Sequence, residues 1–162
     1  MTLYSTILFL HVLGMLGLVT ALGIEWVLLR YASRAGSHEE AQAYLRPIVI
    51  LPPLAIVSTL LVLFSGIYLA AHLRAWEQAW VRVSFWALLV IGALGIFAAK
   101  RMWASRQAPI RIRFSLLLGI VFLMVTHANL TLSLSTMGAA LAIGLAWSAP
   151  AWKAKDPAAG RA

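Results

Sequence analysis

Four apolar stretches of membrane-spanning length, flanked by basic residues, constrain this chain more than any other feature. They run Leu3–Leu29, Ile48–Leu73, Val83–Ala99 and Phe114–Leu134, within or close to the ~17–25 residues that cross a ~30 Å hydrocarbon core. Lipid is then the solvent for most of the molecular surface. Every backbone polar group must be satisfied inside a helix, and each polar side chain within a span needs a reason to be there. The expected fold class is all-α: a polytopic membrane protein with a four-helix transmembrane bundle.

The C-terminal third adds a further element. From Phe114 to Trp152 the chain is apolar apart from His127, Asn129 and scattered Ser and Thr. One helix over that stretch would be ~58 Å long, nearly twice the hydrocarbon thickness. It must break, and hydroxyls at Ser133–Thr136 could cap a new helix. A short fifth segment, Met137–Trp152, then runs back across. Residues 1–152 read as a single bundle and residues 153–162 as a polar tail.

Composition narrows the class. The chain is 62% hydrophobic and only 11% charged, against ~25% charged residues in a soluble domain. Its 162 residues read as one domain, without a soluble catalytic module beside the spans. With no cysteine, disulfides, thiolate ligands and cysteine nucleophiles are all excluded. The net charge of +8 sits at segment ends rather than in one run. That pattern suits loops anchored on anionic lipid, not nucleic-acid binding. The first stretch is too long for a signal-peptide core and has no basic leader, so it reads as a retained span.

Charge placement sets an expected orientation. Arg30, Arg34 and Arg46 follow the first stretch, and Lys100, Arg101, Arg106, Arg111 and Arg113 follow the third. The connection after the second has only Arg74 and Arg82, offset by Glu77. The positive-inside rule then places the N-terminus outside a bacterial cytoplasmic (inner) membrane. Within the first loop, Ser37 followed by Glu39 and Glu40 marks a short surface helix. Pro52 and Pro53 should kink or delay the second span. Trp76 and Trp80 read as interface anchors.

Three histidines fall toward one membrane face: His11, His72 and His127. Histidine within a span is a functional hypothesis by default, and neutral imidazole ligates haem iron, copper or zinc. His11 shares a helix face with Gly14, Leu18, Ala21 and Glu25, and His72 with Ser58, Leu61, Ser65 and Tyr68. Those small and hydroxylated faces suit a bundle interior. His127 lies ~120° from the polar stripe Ser115, Thr126, Asn129 and Ser133 of its own span. The expected cofactor ligands are therefore His11 and His72. His127 is peripheral, joining them only if a metal takes three histidines.

Glu25 is the lone acidic residue inside a span, ~21 Å along the helix from His11. A carboxylate at that depth must be neutral or paired. Lys100 and Arg101 are the expected partners, with Arg30 or Arg46 as alternatives. Such a pair ties helix ends together; the alternative role is a proton relay toward His11. No phosphate loop, zinc-protease helix, nucleophile elbow or carboxylate pair is present to indicate hydrolytic chemistry.

Leu10-His11-Val12-Leu13-Gly14, Ser65-Gly66-Ile67-Tyr68-Leu69-Ala70 and the Trp76 and Trp80 pair together form a recognisable layout. Over roughly residues 3–130 it resembles small bacterial membrane proteins related to the copper-resistance D membrane domain. More distantly, it is similar to membrane-bound protoporphyrinogen oxidases that carry haem. The resemblance implies a four-helix core and a functionally important first-span histidine, which is His11 here. The expected function is a binding or electron-transfer module holding haem b or copper. The alternative is a non-catalytic subunit whose partners are other membrane proteins and the lipid bilayer.

Overall fold

Small residues decide how the first two membrane helices meet. Helix α1 (Leu3–Ala32) starts where the Thr2 hydroxyl accepts the Ser5 N–H, and helix α3 (Leu51–His72) runs antiparallel to it. Gly14 lies against Val62 and Leu61, and Gly17 against Ser58; one turn further on, His11 meets Ser65 and Gly66. A Cβ on Gly14 would stand 3.1 Å from the Val62 backbone nitrogen. The helices thus touch nearly backbone to backbone, as small residues permit in lipid. The computed structural model describes residues 2–99 and 107–153.

Between these helices, α2 (His38–Leu45) is capped by the Ser37 hydroxyl, which accepts the Glu40 N–H at 3.2 Å. Tyr44 of α2 stacks on Tyr31 near the end of α1. A 3₁₀ turn over Arg46–Ile50 leads into α3, whose first turn holds Pro52 and Pro53. The proline pair delays the α-helix to Leu51, because first-turn N–H groups have no intrahelical acceptor to lose. A 3₁₀ turn, Ala75–Glu77, then leads to α4 (Ala79–Ala99).

The last two helices are α5 (Gln107–Thr126) and α6 (Leu130–Lys153). They pack along a second tight seam, where Gly119 faces Met137 and Ala140, and Gly144 faces Ile112 and Ser115. The break between them comes at His127–Asn129, not at Ser133–Thr136. His127 takes a left-handed backbone, φ 47°, while its N–H still donates to the Leu123 carbonyl. The Asn129 side chain accepts the Leu132 N–H at 2.9 Å and starts α6. Ser133 is used differently: fully buried, it donates its hydroxyl to the Ala128 carbonyl. With the start moved back to Leu130, the fifth segment becomes a full-length helix rather than a short one. Asn129 belongs to this turn rather than to the middle of a span.

The all-α polytopic class holds: among the described residues, five helices are long and apolar enough to cross a membrane. Leu18, Leu22, Ile91, Leu117 and Ile120 form the shared core. Large apolar side chains such as Phe9, Phe64, Trp86 and Val125 project outward, where a soluble protein would place polar groups. This is the surface of a multi-pass membrane protein in contact with lipid.

Candidate functional site

At the end of the bundle where α1 begins and α3 ends, the helices do not close completely. They leave a cavity of about 530 Å³ walled by α1, α3, α4, α5 and the Ala75–Glu77 turn. Its walls are mostly apolar and aromatic, with Leu8, Leu88, Ile120 and Met124 joined by Trp76, Trp80 and Phe85. The polar contributors are few: Tyr4, His11, Gln78, Ser84 and His127. An apolar hollow of this size with a handful of placed polar groups is the usual form of a small-molecule or cofactor site.

His11 is the best-defined of these groups. Its Nδ1 lies 3.0 Å from the Ser65 hydroxyl oxygen. Ser65 has one hydroxyl hydrogen, and it is directed back along α3 to the Leu61 carbonyl, with the Val62 carbonyl as a second acceptor at 3.3 Å. With its hydrogen there, the oxygen accepts from His11 Nδ1–H, and in that arrangement Nε2 keeps its lone pair. This is how a ligating histidine is held: one nitrogen bonded to the protein, the other left for a metal or hydrogen-bond donor. Gly66 completes the seat, since a Cβ there would come within 3.2 Å of the imidazole Cε1.

Ser84 is the second informative group. It is 6% exposed, and its hydroxyl finds no hydrogen-bond partner among the described residues. A buried polar group left unpaired costs free energy and asks for an explanation. A ligand in the adjoining cavity would supply the partner.

The histidines are distributed differently from the expectation. His11 and His127 line the same cavity, while His72 lies outside its lining. His72 instead stacks on Tyr68, at 5.8 Å, with Tyr4 tilted against it at 5.7 Å between ring centroids. Tyr4 precedes His11 by two turns of α1, and Ser65 precedes His72 by two turns of α3, so the two positions are offset by ~10 Å of helical rise along the seam. His127 reaches the cavity because it has left its helix. The ~120° phase offset assumed a helix that ends one residue earlier, and Trp80 packs against the ring at 5.0 Å. Among the described residues, no three His, Cys, Asp or Glu side chains gather into a metal-binding group, so His11, His72 and His127 do not form one. Trp76 and Trp80, read from the sequence as interface anchors, both wall the cavity.

Glu25 lies in the opposite half of the bundle and pairs with Arg113 of α5 at 3.5 Å. The two side chains are 14% and 9% exposed. Gly95 of α4 makes room for the guanidinium, with its nearest nitrogen 3.0 Å from where a Cβ would stand. Lys100 and Arg101, the partners anticipated from the sequence, lie outside the described residues. Arg113 was missed because it counted as a loop cation. In fact α5 begins at Gln107 and carries both Arg111 and Arg113 into the bundle, where the Arg111 guanidinium lies over the Trp147 ring. Pro109, two residues into that helix, is the signal that could have marked its start.

Comparison with protein-family models, curated proteins and solved structures finds no match.

Proposed function

We propose that this is an integral membrane protein that holds haem b through His11, in the cavity at the outer end of its bundle, for electron transfer or metal handling. One observation carries the reading: a transmembrane histidine with its Nδ1 held 3.0 Å from the Ser65 hydroxyl stands beside an apolar cavity of about 530 Å³. That size lies within the ~300–1,000 Å³ of pockets for organic ligands. Haem needs what these walls offer, namely apolar and aromatic surface around a ring and an imidazole for the iron. Bound there, it would supply one-electron chemistry, and the chain's own residues would seat it, hold His11 against Ser65 and keep water away. A copper ion is the less favoured cargo, because histidine-only sites gather several ligands around one point and no such group of three forms among the described residues.

The same reading places the protein in a bacterial cytoplasmic membrane with its N-terminus outside. The support is the basic loop containing Arg34 and Arg46, against the sparsely charged turn containing Arg74 and Arg82. A single cysteine at Arg34 should react with an impermeant thiol reagent only from the cytoplasmic side. Labelling from the periplasm would reverse the orientation.

The functional test is the absorption spectrum and metal content of detergent-purified protein. A Soret band with matching iron, lost in His11→Ala, is the expected result. A colourless, metal-free protein that co-purifies with a membrane partner would favour the scaffold role instead.

A further inference from the structure

His11 of α1 and His127 of the turn after α5 line one cavity, and His72 does not. We infer that a haem in this cavity is held between His11 and His127, with His72 outside the ligand set. The inference rests on the haem reading above and specifies which side chains carry it.

The two rings are prepared differently for such a role. His11 is seated against Ser65 and Gly66, from a helix interior. His127 is presented from the turn after α5, in a left-handed backbone usually occupied by glycine or asparagine. A β-carbon in that conformation is strained, and strained non-glycine residues concentrate where a side chain has work to do. No group among the described residues hydrogen-bonds the His127 ring, and Trp80 packs against it at a tilt, 5.0 Å between ring centroids. Both of its nitrogens are therefore open to a ligand. A bare ion would need further donors around one point, whereas a porphyrin supplies four nitrogens itself and asks the protein for only one or two axial groups. His11, half-buried in α1, and His127, exposed in the turn after α5, are the two imidazoles this apolar cavity offers. His72 is in ring contact with Tyr4 and Tyr68 and does not line the cavity.

The test compares the haem-loaded wild type with His127→Asn, His72→Ala and His11→Ala. Asparagine keeps the left-handed backbone at 127, so the turn survives the change. The wild-type ferric protein should show a six-coordinate, low-spin spectrum and the electron paramagnetic resonance of two axial imidazoles. His127→Asn should keep its haem but become high-spin, and added imidazole should restore the low-spin spectrum. His72→Ala should stay low-spin, and His11→Ala should lose the haem. A low-spin spectrum that survives His127→Asn but is lost in His72→Ala would overturn the assignment while leaving the haem reading intact. So would a single-imidazole resonance in the wild type, which needs no variant to fold. A wild type that takes up no haem would remove both.

Discussion

Adding one methyl group at Gly14 should destabilise the protein, while adding it at Gly92 should do the reverse. In a helix interior, alanine is favoured over glycine by about 1 kcal/mol. At Gly92 nothing lies within 4 Å of the new Cβ, so Gly92→Ala keeps the whole gain. At Gly14 the Cβ would stand 2.9 Å from Val62 Cγ2 and 3.1 Å from the Val62 backbone nitrogen. A side chain can rotate away from such a contact, but a helix backbone cannot. The α1–α3 seam must open, and overpacking of this kind costs about 1–3 kcal/mol. The net effect at Gly14 is a loss of up to about 2 kcal/mol, opposite in sign to Gly92. Thermal unfolding in detergent, followed by helical circular dichroism, reads the difference. Each kcal/mol moves the midpoint by about 2–4 °C for a chain of this length. Equal shifts in the same direction would mean that the seam is not closely packed and that His11 is not held against Ser65 by it.

Other perturbations probe the remaining buried groups. Glu25→Gln leaves Arg113 charged and buried, which costs about 3–5 kcal/mol, whereas Glu25→Gln with Arg113→Gln should lose less than the sum of the two single changes in the same assay. Strict additivity would mean that the pair does not interact. Ser84→Ala should leave the ligand-free protein as stable as before, or slightly more so, because removing an unpaired buried hydroxyl relieves a desolvation cost. A clear loss of thermal stability without ligand would show that this hydroxyl has a protein partner.

How much of this was legible in the sequence depended on the kind of signal. Hydropathy found all five long apolar helices among the described residues, because a span must be apolar along its length whatever its neighbours are. It misplaced ends where polar residues are drawn inside. Arg113 looked like the close of a loop, yet it is buried against Glu25, and an ion pair between distant segments leaves no local pattern. The α5–α6 break turned on one asparagine cap and one left-handed histidine, weaker signals than the run of hydroxyls that follows. Helical phase correctly gave His11 an interior face shared with Gly14, since both meet α3. The same reasoning set His127 aside because it assumed the helix continued through it. The cavity itself was invisible: its walls are Leu, Ile, Trp and Phe that any membrane helix carries. Only their three-dimensional arrangement leaves space between them.

The most direct test of the central claim is a titration of haemin into purified, pigment-free protein, followed at the Soret band. Saturation at one haem per chain is expected for the wild type and for His72→Ala, with no specific binding by a folded His11→Ala. Equal uptake by wild type and His11→Ala, or none by either, would contradict that claim.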